Sequence, residues 1–249
     1  EEEMKYCEND CLVLYEYIKR ELETYKRVDK IPLTSTGHVR RELKERIFHD
    51  WNYRGKIKKA INTNPHIYNL LNQAFQGGYT HANYHNALEI IKNVDSYDET
   101  SAYPYTLVTH RFPSTEFKKC NIKKKEEMSS GLAYLLVVRF KNIETKYCNT
   151  FISKSKCRNI LGGKKNRYDN GRIIFAESFE ITLTDVDFNF ILQTHICQYE
   201  ILESYYSKYN YLPKQFIEFV LEKYNNKTQY KDVAGMEVDY AKEKNKFKI

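Results

Sequence analysis

Helical spacing of apolar residues marks several segments of this chain of 249 residues. One apolar stripe predicts a helix over residues 1–27, and its members are Leu12, Tyr15, Ile18 and Leu22. For a helix over 36–44, the N-cap candidates are Thr34, Ser35 and Thr36. Caps and spacing predict further helices after Pro65, over 101–110, 184–195 and 213–226, and in the C-terminal stretch EVDYAKEKNKFKI.

Apolar runs between these helices predict strands. The run LEIIKNVDSYD, residues 88–98, predicts a strand that ends at Asp98, and LAYLLVVRF, residues 132–140, predicts another. The segment 172–184 follows the turn sequence YDNGR, and its Asn-Gly pair predicts a hairpin or two strands. This mixture of helices and strands places the chain in the α+β class.

The charge of the chain favours a polyanionic partner. The formal net charge is +7. Basic residues concentrate in KKCNIKKK (118–125), SKSKCR (153–158), GGKKNR (162–167) and AKEKNKFK (241–248). Each cluster alone is more often a solvated surface. Nucleic acid is favoured over a membrane because no helix carries a broad apolar face opposite its lysines.

Cysteine usage and the absence of targeting signals limit the function classes further. The six cysteines form no C-x-x-C pair, which argues against a zinc site and a redox motif and favours reduced thiols. No signal peptide and no apolar run long enough to cross a bilayer are found in the sequence. We therefore expect a cytoplasmic protein with no membrane partner.

A carboxylate and a helix start lie close together at residues 98–104. The spacing is D-x-x-S-x-Y-P, from Asp98 through Ser101 and Tyr103 to Pro104. Ser101 is a candidate N-cap, and Pro104 falls in the first turn, where its missing N–H is not needed. Asp98 could bind a divalent cation while backbone N–H groups donate to the triphosphate that the cation carries. The alternative is an ordinary capped helix after a turn acid, and the spacing alone does not choose.

The stretch AFQGGYTHAN carries a second signal. Gly77 and Gly78 would let a ligand approach the backbone closely, with Phe75, Tyr79 and Thr80 beside them. A Gly–Gly pair alone is more typical of a tight turn.

Two further groups of polar residues fall at helical spacing. Tyr6 and Asp10, at i and i+4, could orient a water and hold a metal, although such a pair on a surface helix usually has no such role. Tyr240, Lys244 and Lys248 share a face that either binds phosphate or is simply solvated.

In their order along the chain, these motifs resemble those of the family B DNA polymerases, and in particular the protein-primed branch of phages and linear plasmids. YDETSAYP is similar to motif A of the family, D-x-x-S-L-Y-P, with Ala102 in place of Leu. YCEND resembles the third exonuclease motif, Y-x-x-x-D. FQGG resembles the Y-x-G-G motif, with Phe75 in place of Tyr, and KFKI resembles the start of K-x-x-x-N-S-x-Y-G.

The resemblance implies a polymerase site around Asp98. This residue would be one of two metal-binding aspartates for Mg²⁺ or Mn²⁺, and the backbone carbonyl of Glu99 would add a ligand. Ser101 and Ala102 would contact the triphosphate. Tyr103 would pack under the deoxyribose and exclude a 2′-hydroxyl.

The resemblance also implies contacts with DNA and with phosphate outside motif A. The residues along the template or primer strand would be Phe75, Gly77, Gly78 and Thr80. Tyr6 and Asp10 would belong to the 3′–5′ exonuclease site. Phosphate charge would be neutralised by Lys248 with Lys244, and by a further lysine that is either Lys227 or Lys231.

The implied architecture is a polymerase palm with a β-rich insertion and a fingers helix, preceded by the last helix of an RNase H-like exonuclease domain. Its parts would be the exonuclease end (1–28), the palm with the GG motif and motif A (29–112), the insertion (113–214) and palm and fingers helices (215–249). The partners would be template–primer DNA, dNTPs and a terminal protein primer, in the host cytoplasm if a phage encodes the chain.

Some motifs of the family are missing. The second catalytic Asp and the first two exonuclease motifs are absent, so we expect a fragment that by itself neither polymerises nor proofreads. The main alternative is a non-catalytic module that binds nucleic acid or a replication protein. A phosphate-binding metabolic enzyme is disfavoured because no GxxxxGK loop is found.

Overall fold

Antiparallel strand pairing organises residues 50–217, one of two compact units of the chain. The other unit comprises residues 1–49 and 218–249. The structure is a computed structural model that describes residues 2–48, 55, 64–80, 88–147 and 150–229. Within these ranges helices and an antiparallel sheet are combined, which confirms the α+β class.

Among the described residues the sheet has seven strands, all paired antiparallel. They are β1 (Arg111–Pro113), β2 (Lys118–Cys120), β3 (Leu132–Thr145), β4 (Arg158–Leu161), β5 (Arg167–Asp169), β6 (Arg172–Thr184) and β7 (His195–Tyr211). The order across the sheet is β1-β7-β3-β6-β4, while β2 also pairs with β7 and β5 with β6. The predicted strand over 132–140 is confirmed as β3, and 172–184 forms one strand rather than two.

Strand β3 is central, and both of its faces are buried. Leu136, Val138 and Phe140 point into one hydrophobic cluster, and Leu135 and Val137 point into another on the opposite face. Because successive side chains of a strand alternate between faces, a strand covered on both sides has a continuous apolar sequence. This explains why LAYLLVVRF contains no polar residue before its arginine.

One helix covers each face of the sheet. Helix α3 (Pro65–Ala74) packs Ile67, Leu70 and Ala74 against one face, and helix α5 (Asp185–Thr194) packs Phe188 and Ile191 against the other. Between them in the sequence lies helix α4 (Ala102–Thr109), which has no buried residue.

Side-chain caps and a turn explain where these elements begin. Asn64 Oδ1 accepts a hydrogen bond from His66 N at 2.8 Å, and Thr184 Oγ1 accepts one from Asp187 N at 3.2 Å. Asn170 and Gly171 connect β5 to β6 with positive φ of 44° and 73°, the backbone that a two-residue hairpin turn requires. The Asn-Gly turn is therefore confirmed, but the hairpin that it forms pairs β6 with the preceding β5 and does not lie within 172–184.

The described helices of the other unit are α1 (Glu2–Tyr25), α2 (Ser35–Phe48) and part of α6 (Lys214–Thr228). Thr34 Oγ1 accepts a hydrogen bond from Gly37 N at 3.1 Å, so Thr34 caps α2. Buried Lys223 in α6 donates to Glu42 in α2 at 2.8 Å, and Arg46 pairs with Glu222. These ion pairs join α2 to α6 within the unit.

Strand β7 was not predicted from the sequence. The helix predicted over EVDYAKEKNKFKI lies outside the described residues. None of the described helices is both long enough and apolar enough to cross a bilayer.

Candidate functional site

The segment that carries Asp98 is irregular and exposed. Residues 88–101 contain no paired strand, so the predicted strand over 88–98 is wrong. A strand needs a hydrogen-bonding neighbour, and no described strand pairs with this segment. Its apolar side chains are accordingly exposed, among them Ile90 at 93% and Val94 at 70%. Asp98 and Glu99 are exposed as well.

Helix α4 begins at Ala102, as predicted. The side chain of Ser101, however, does not cap it. Ser101 has a left-handed backbone with φ 54°, whereas capping side chains need an extended backbone at that position, and no capping hydrogen bond is present. The Ser101 carbonyl instead accepts a hydrogen bond from Tyr105 N at 3.0 Å. The N–H groups of Ala102 and Tyr103 have no partner within the helix, because they precede its first turn of hydrogen bonds.

Two tyrosines extend from α4. The ring of Tyr103 is 78% exposed and that of Tyr105 is 59% exposed. Pro104 lies in the first turn of the helix, as predicted, where it disrupts no hydrogen bond. An exposed carboxylate, backbone N–H groups with no partner inside the helix and an exposed aromatic ring therefore occur within six residues of sequence.

The described residues do not complete a metal site. Asp98 offers a carboxylate and Glu99 a carbonyl, both hard oxygen ligands that suit Mg²⁺. Within the described ranges, however, no group of three or more His, Cys, Asp or Glu side chains is close enough to hold an ion. These residues alone fit only part of a coordination shell.

The glycine loop follows α3 directly. Residues 75–80 are irregular, and Phe75, Gly77, Gly78 and Thr80 are all exposed. Neither glycine has a left-handed backbone, and a Cβ placed on either would meet no described atom within 4 Å. The fold of the described chain therefore does not require glycine at these positions, which argues against a simple tight turn.

The remaining predicted residues are divided between described and undescribed parts of the chain. Tyr6 and Asp10 lie on α1 and are exposed. Lys227 is in the last turn of α6. Lys231, Lys244 and Lys248 lie outside the described residues. The glycine loop and the Asp98 segment belong to the same unit, 50–217.

Sequence reasoning missed a polar cluster at the end of α3, just before the glycine loop. Gln73, in the last turn of α3, accepts hydrogen bonds from Arg158 of β4 and from Thr182 of β6. At the other end of the loop, the guanidinium of Arg172 lies 5.0 Å from the centre of the Tyr79 ring. Only the basic cluster that contains Arg158 gave any signal, because pairing of distant residues is not visible in one sequence.

The sequence and the fold both match DNA polymerases. Residues 1–234 match the sequence profile of the family described as DNA polymerase type B, organellar and viral. No curated protein matches the sequence. The fold is similar to that of phi29 DNA polymerase in complex with primer-template DNA and incoming nucleotides, with a TM-score of 0.59, 16% identity, and 91% of this chain and 36% of that chain covered.

Other structures of the same enzyme give similar results. Phi29 DNA polymerase with single-stranded DNA matches with a TM-score of 0.58 and 16% identity over 97% of this chain and 38% of that chain. Its binary complex with primer-template DNA matches with a TM-score of 0.56 and 18% identity over 87% of this chain and 34% of that chain. The chain therefore spans little more than a third of the length of these polymerases. From the family match over most of its length, the chain belongs to the organellar and viral type B DNA polymerases.

Proposed function

We propose that this chain is part of a DNA-directed DNA polymerase and supplies one of the carboxylates of its polymerase site. The observation that supports the proposal most is the exposed Asp98, followed within a few residues by the free N–H groups at the start of α4. A carboxylate is a ligand for a divalent cation, and N–H groups at a helix start donate to phosphate. A bound Mg²⁺ or Mn²⁺ would neutralise phosphate charge there.

The nucleotide contacts are proposed from the same segment. The N–H groups of Ala102 and Tyr103 are available to a triphosphate, and the Ser101 hydroxyl is not used for capping. The exposed Tyr103 ring is available to a deoxyribose. Lys244 and Lys248, with Lys227 or Lys231, remain proposed phosphate contacts from the family resemblance.

The DNA strand is proposed to follow the glycine loop. Gly77 and Gly78 are free of steric demands from the described chain, so their lack of side chains serves close approach of a strand to the backbone. Phe75, which is 71% exposed, offers a ring for stacking, and Thr80 is exposed beside it. Phi29 DNA polymerase binds primer-template DNA and single-stranded DNA, which supports DNA as the partner here.

The other proposed roles rest on motifs and position. Tyr6 and Asp10 are assigned to a 3′–5′ exonuclease site, and the chain is proposed to divide at 28, 112 and 214. A terminal protein is the proposed partner of the β-rich residues 113–214. The host cytoplasm stays the predicted location.

Primer extension by the complete polymerase that contains these residues tests the proposal. We expect incorporation of dNTPs that follows the template and requires a divalent cation, and no incorporation by the chain alone. A complete protein that binds primer–template DNA but never extends the primer would instead favour a non-catalytic binding module.

A further inference from the structure

The glycine loop starts from a fixed point on the sheet. Helix α3 ends at Ala74, and Phe75 N still donates to Leu71 O at 3.0 Å, so the last turn of the helix leads directly into Gly77 and Gly78. The apolar face of α3 is buried against β3 and β7. Packing of this kind fixes the helix on the sheet but leaves the position of its polar end unspecified.

Gln73 supplies a specific polar contact at that end. Its Oε1 accepts one hydrogen bond from the Arg158 guanidinium and another from Thr182 Oγ1 at 2.9 Å. Arg158 also donates to Thr182 Oγ1, at 3.2 Å, so the three side chains form a closed network. Thr182 is only 1% exposed. Loss of the Gln73 acceptor would leave a buried hydroxyl and a charged donor without this partner, which is costly.

The far end of the loop is also held by an arginine of the sheet. Arg172 of β6 lies with its guanidinium 5.0 Å from the centre of the Tyr79 ring, a cation–π distance. The same guanidinium donates to the Phe151 carbonyl at 2.6 Å, which fixes its orientation. Side chains near both ends of the loop are thus tied to strands, whereas a Cβ placed on Gly77 or Gly78 would meet no described atom within 4 Å.

We propose that Gln73, Arg158 and Thr182 are positioning residues for the glycine loop, acting on DNA only through the loop backbone. This inference rests on the proposed function, in which the loop lies along a DNA strand. The network fixes where the loop leaves α3, so the glycines are already in place when the strand arrives. A pre-positioned loop binds more tightly because less conformational freedom is lost on binding.

The test uses the complete polymerase that contains this chain and a labelled primer–template duplex, with affinity measured by fluorescence anisotropy. Gln73→Leu removes the acceptor and should weaken DNA binding by roughly tenfold, the scale of one lost buried hydrogen bond. Gln73→Glu should restore affinity because a carboxylate accepts from the same two donors. Asn72→Ala, at an exposed position on the same turn, is the matched control and should leave affinity unchanged.

A double-mutant cycle separates positioning from general stability. If Gln73 acts through the loop, Gln73→Leu should weaken binding much less in a Gly77→Val background, where the loop no longer contacts DNA. Fully additive effects would overturn the proposal, and so would a loss of thermal stability with unchanged affinity. If Gln73→Leu does not fold, Thr182→Val removes the hydroxyl that donates to Gln73 with little change of shape. A weaker effect in the Gly77→Val background then supports the proposal, and additive effects overturn it.

The two failures are distinguishable. If Gly77→Val itself leaves DNA affinity unchanged, the loop does not contact DNA, and the proposed role of the loop fails together with this inference. If Gly77→Val weakens binding but neither Gln73→Leu nor Thr182→Val does, the loop contacts DNA and only the positioning role is wrong.

Discussion

Single residues carry most of the functional assignment, and Asp98 is the most important of them. Its motif was visible in the sequence because the chemistry needs particular residue types at a short spacing. The left-handed backbone of Ser101 was not visible, because Ser is a common N-cap and only the three-dimensional path of the chain decides its φ. The consequence is a hydroxyl that does not cap α4.

Replacement of Tyr103 tests the proposed nucleotide contact. In the complete polymerase, Tyr103→Val should increase incorporation of ribonucleotides relative to deoxyribonucleotides, because it removes the ring that we propose excludes a 2′-hydroxyl. The measurement is the ratio of kcat/KM for rNTP and dNTP in primer extension. Tyr105→Val, on the same helix and also exposed, is the control and should leave the ratio unchanged. An unaltered ratio for Tyr103→Val would remove the sugar-selecting role.

Replacement of the loop glycines separates folding from binding. Gly77→Ala and Gly78→Ala should change the free energy of unfolding by less than about 1 kcal/mol, because a methyl group meets open space and neither backbone is left-handed. DNA affinity should nevertheless fall several-fold, as anisotropy would measure. Gly131→Ala is the control, since its Cβ would meet only Ser129 Oγ, at 3.9 Å. Unfolding of the loop variants would restore the tight-turn interpretation.

Secondary-structure elements were predictable where their signals are local. Pro65 indicated α3, Thr184 indicated the start of α5, and the Asn-Gly pair indicated the turn before β6, since each signal depends on neighbouring residues. Strand β7 was missed because its alternation is interrupted. The pairing with β3 shifts between Val137 and Val138, so Ile201 faces one cluster while Leu202 and Tyr205 face the other. A β-bulge of this kind changes which positions face the core.

The prediction of a strand over 88–98 was wrong because strand formation does not depend on neighbouring residues alone. Its apolar run looks like a strand, but a strand exists only with a partner, and the partner of a strand is a non-local property. Residues such as Ile90 and Val94 are left exposed in the described structure.

At the scale of elements, the cap of α5 should be worth a measurable amount of stability. Thr184→Ala removes the hydroxyl that accepts from Asp187 N and should lower the free energy of unfolding by about 1 kcal/mol. Urea unfolding followed by circular dichroism measures the change. Thr106→Ala is the control, because Thr106 donates to Ala102 O inside α4 and caps nothing. Equal losses in both variants would contradict the assigned cap.

For the whole molecule, acid stability should depend on a buried histidine. His195 is 4% exposed, and its ring nitrogens lie 2.9 Å from Thr150 Oγ1 and from Thr194 Oγ1. The pKa of His195 is lowered to about 4, chiefly by burial and in smaller part by the charge of Lys146. An unfolded histidine has a pKa of about 6.5, so between these values the unfolded chain binds a proton that the folded chain does not.

The free energy of unfolding should therefore fall as the pH decreases from about 6.5 towards about 4. Thermal or urea unfolding across this range measures the slope. His195→Gln cannot titrate and should flatten the slope, whereas His110→Gln, at an exposed position, should leave it as in the parent chain. A slope that survives His195→Gln would assign the acid sensitivity to other groups.

The whole chain matches a little more than a third of phi29 DNA polymerase, so its activity has to be tested in the complete enzyme. The family could be inferred from motif order alone, because four short patterns in one sequence constrain each other. The sheet and the polar network at the end of α3 could not be inferred from the motifs, since they depend on contacts between residues far apart in sequence, such as Gln73 and Thr182.

The central claim is that Asp98 acts in the chemistry of nucleotide addition and not in holding the DNA. The most direct test measures primer extension and DNA affinity on one variant, Asp98→Asn, in the complete polymerase, with Asp95→Asn of the same exposed segment as the control. We predict that Asp98→Asn loses extension while its Kd for primer–template stays within about twofold of the parent, because phosphate contacts dominate DNA affinity. Extension at the parental rate by Asp98→Asn would contradict the account.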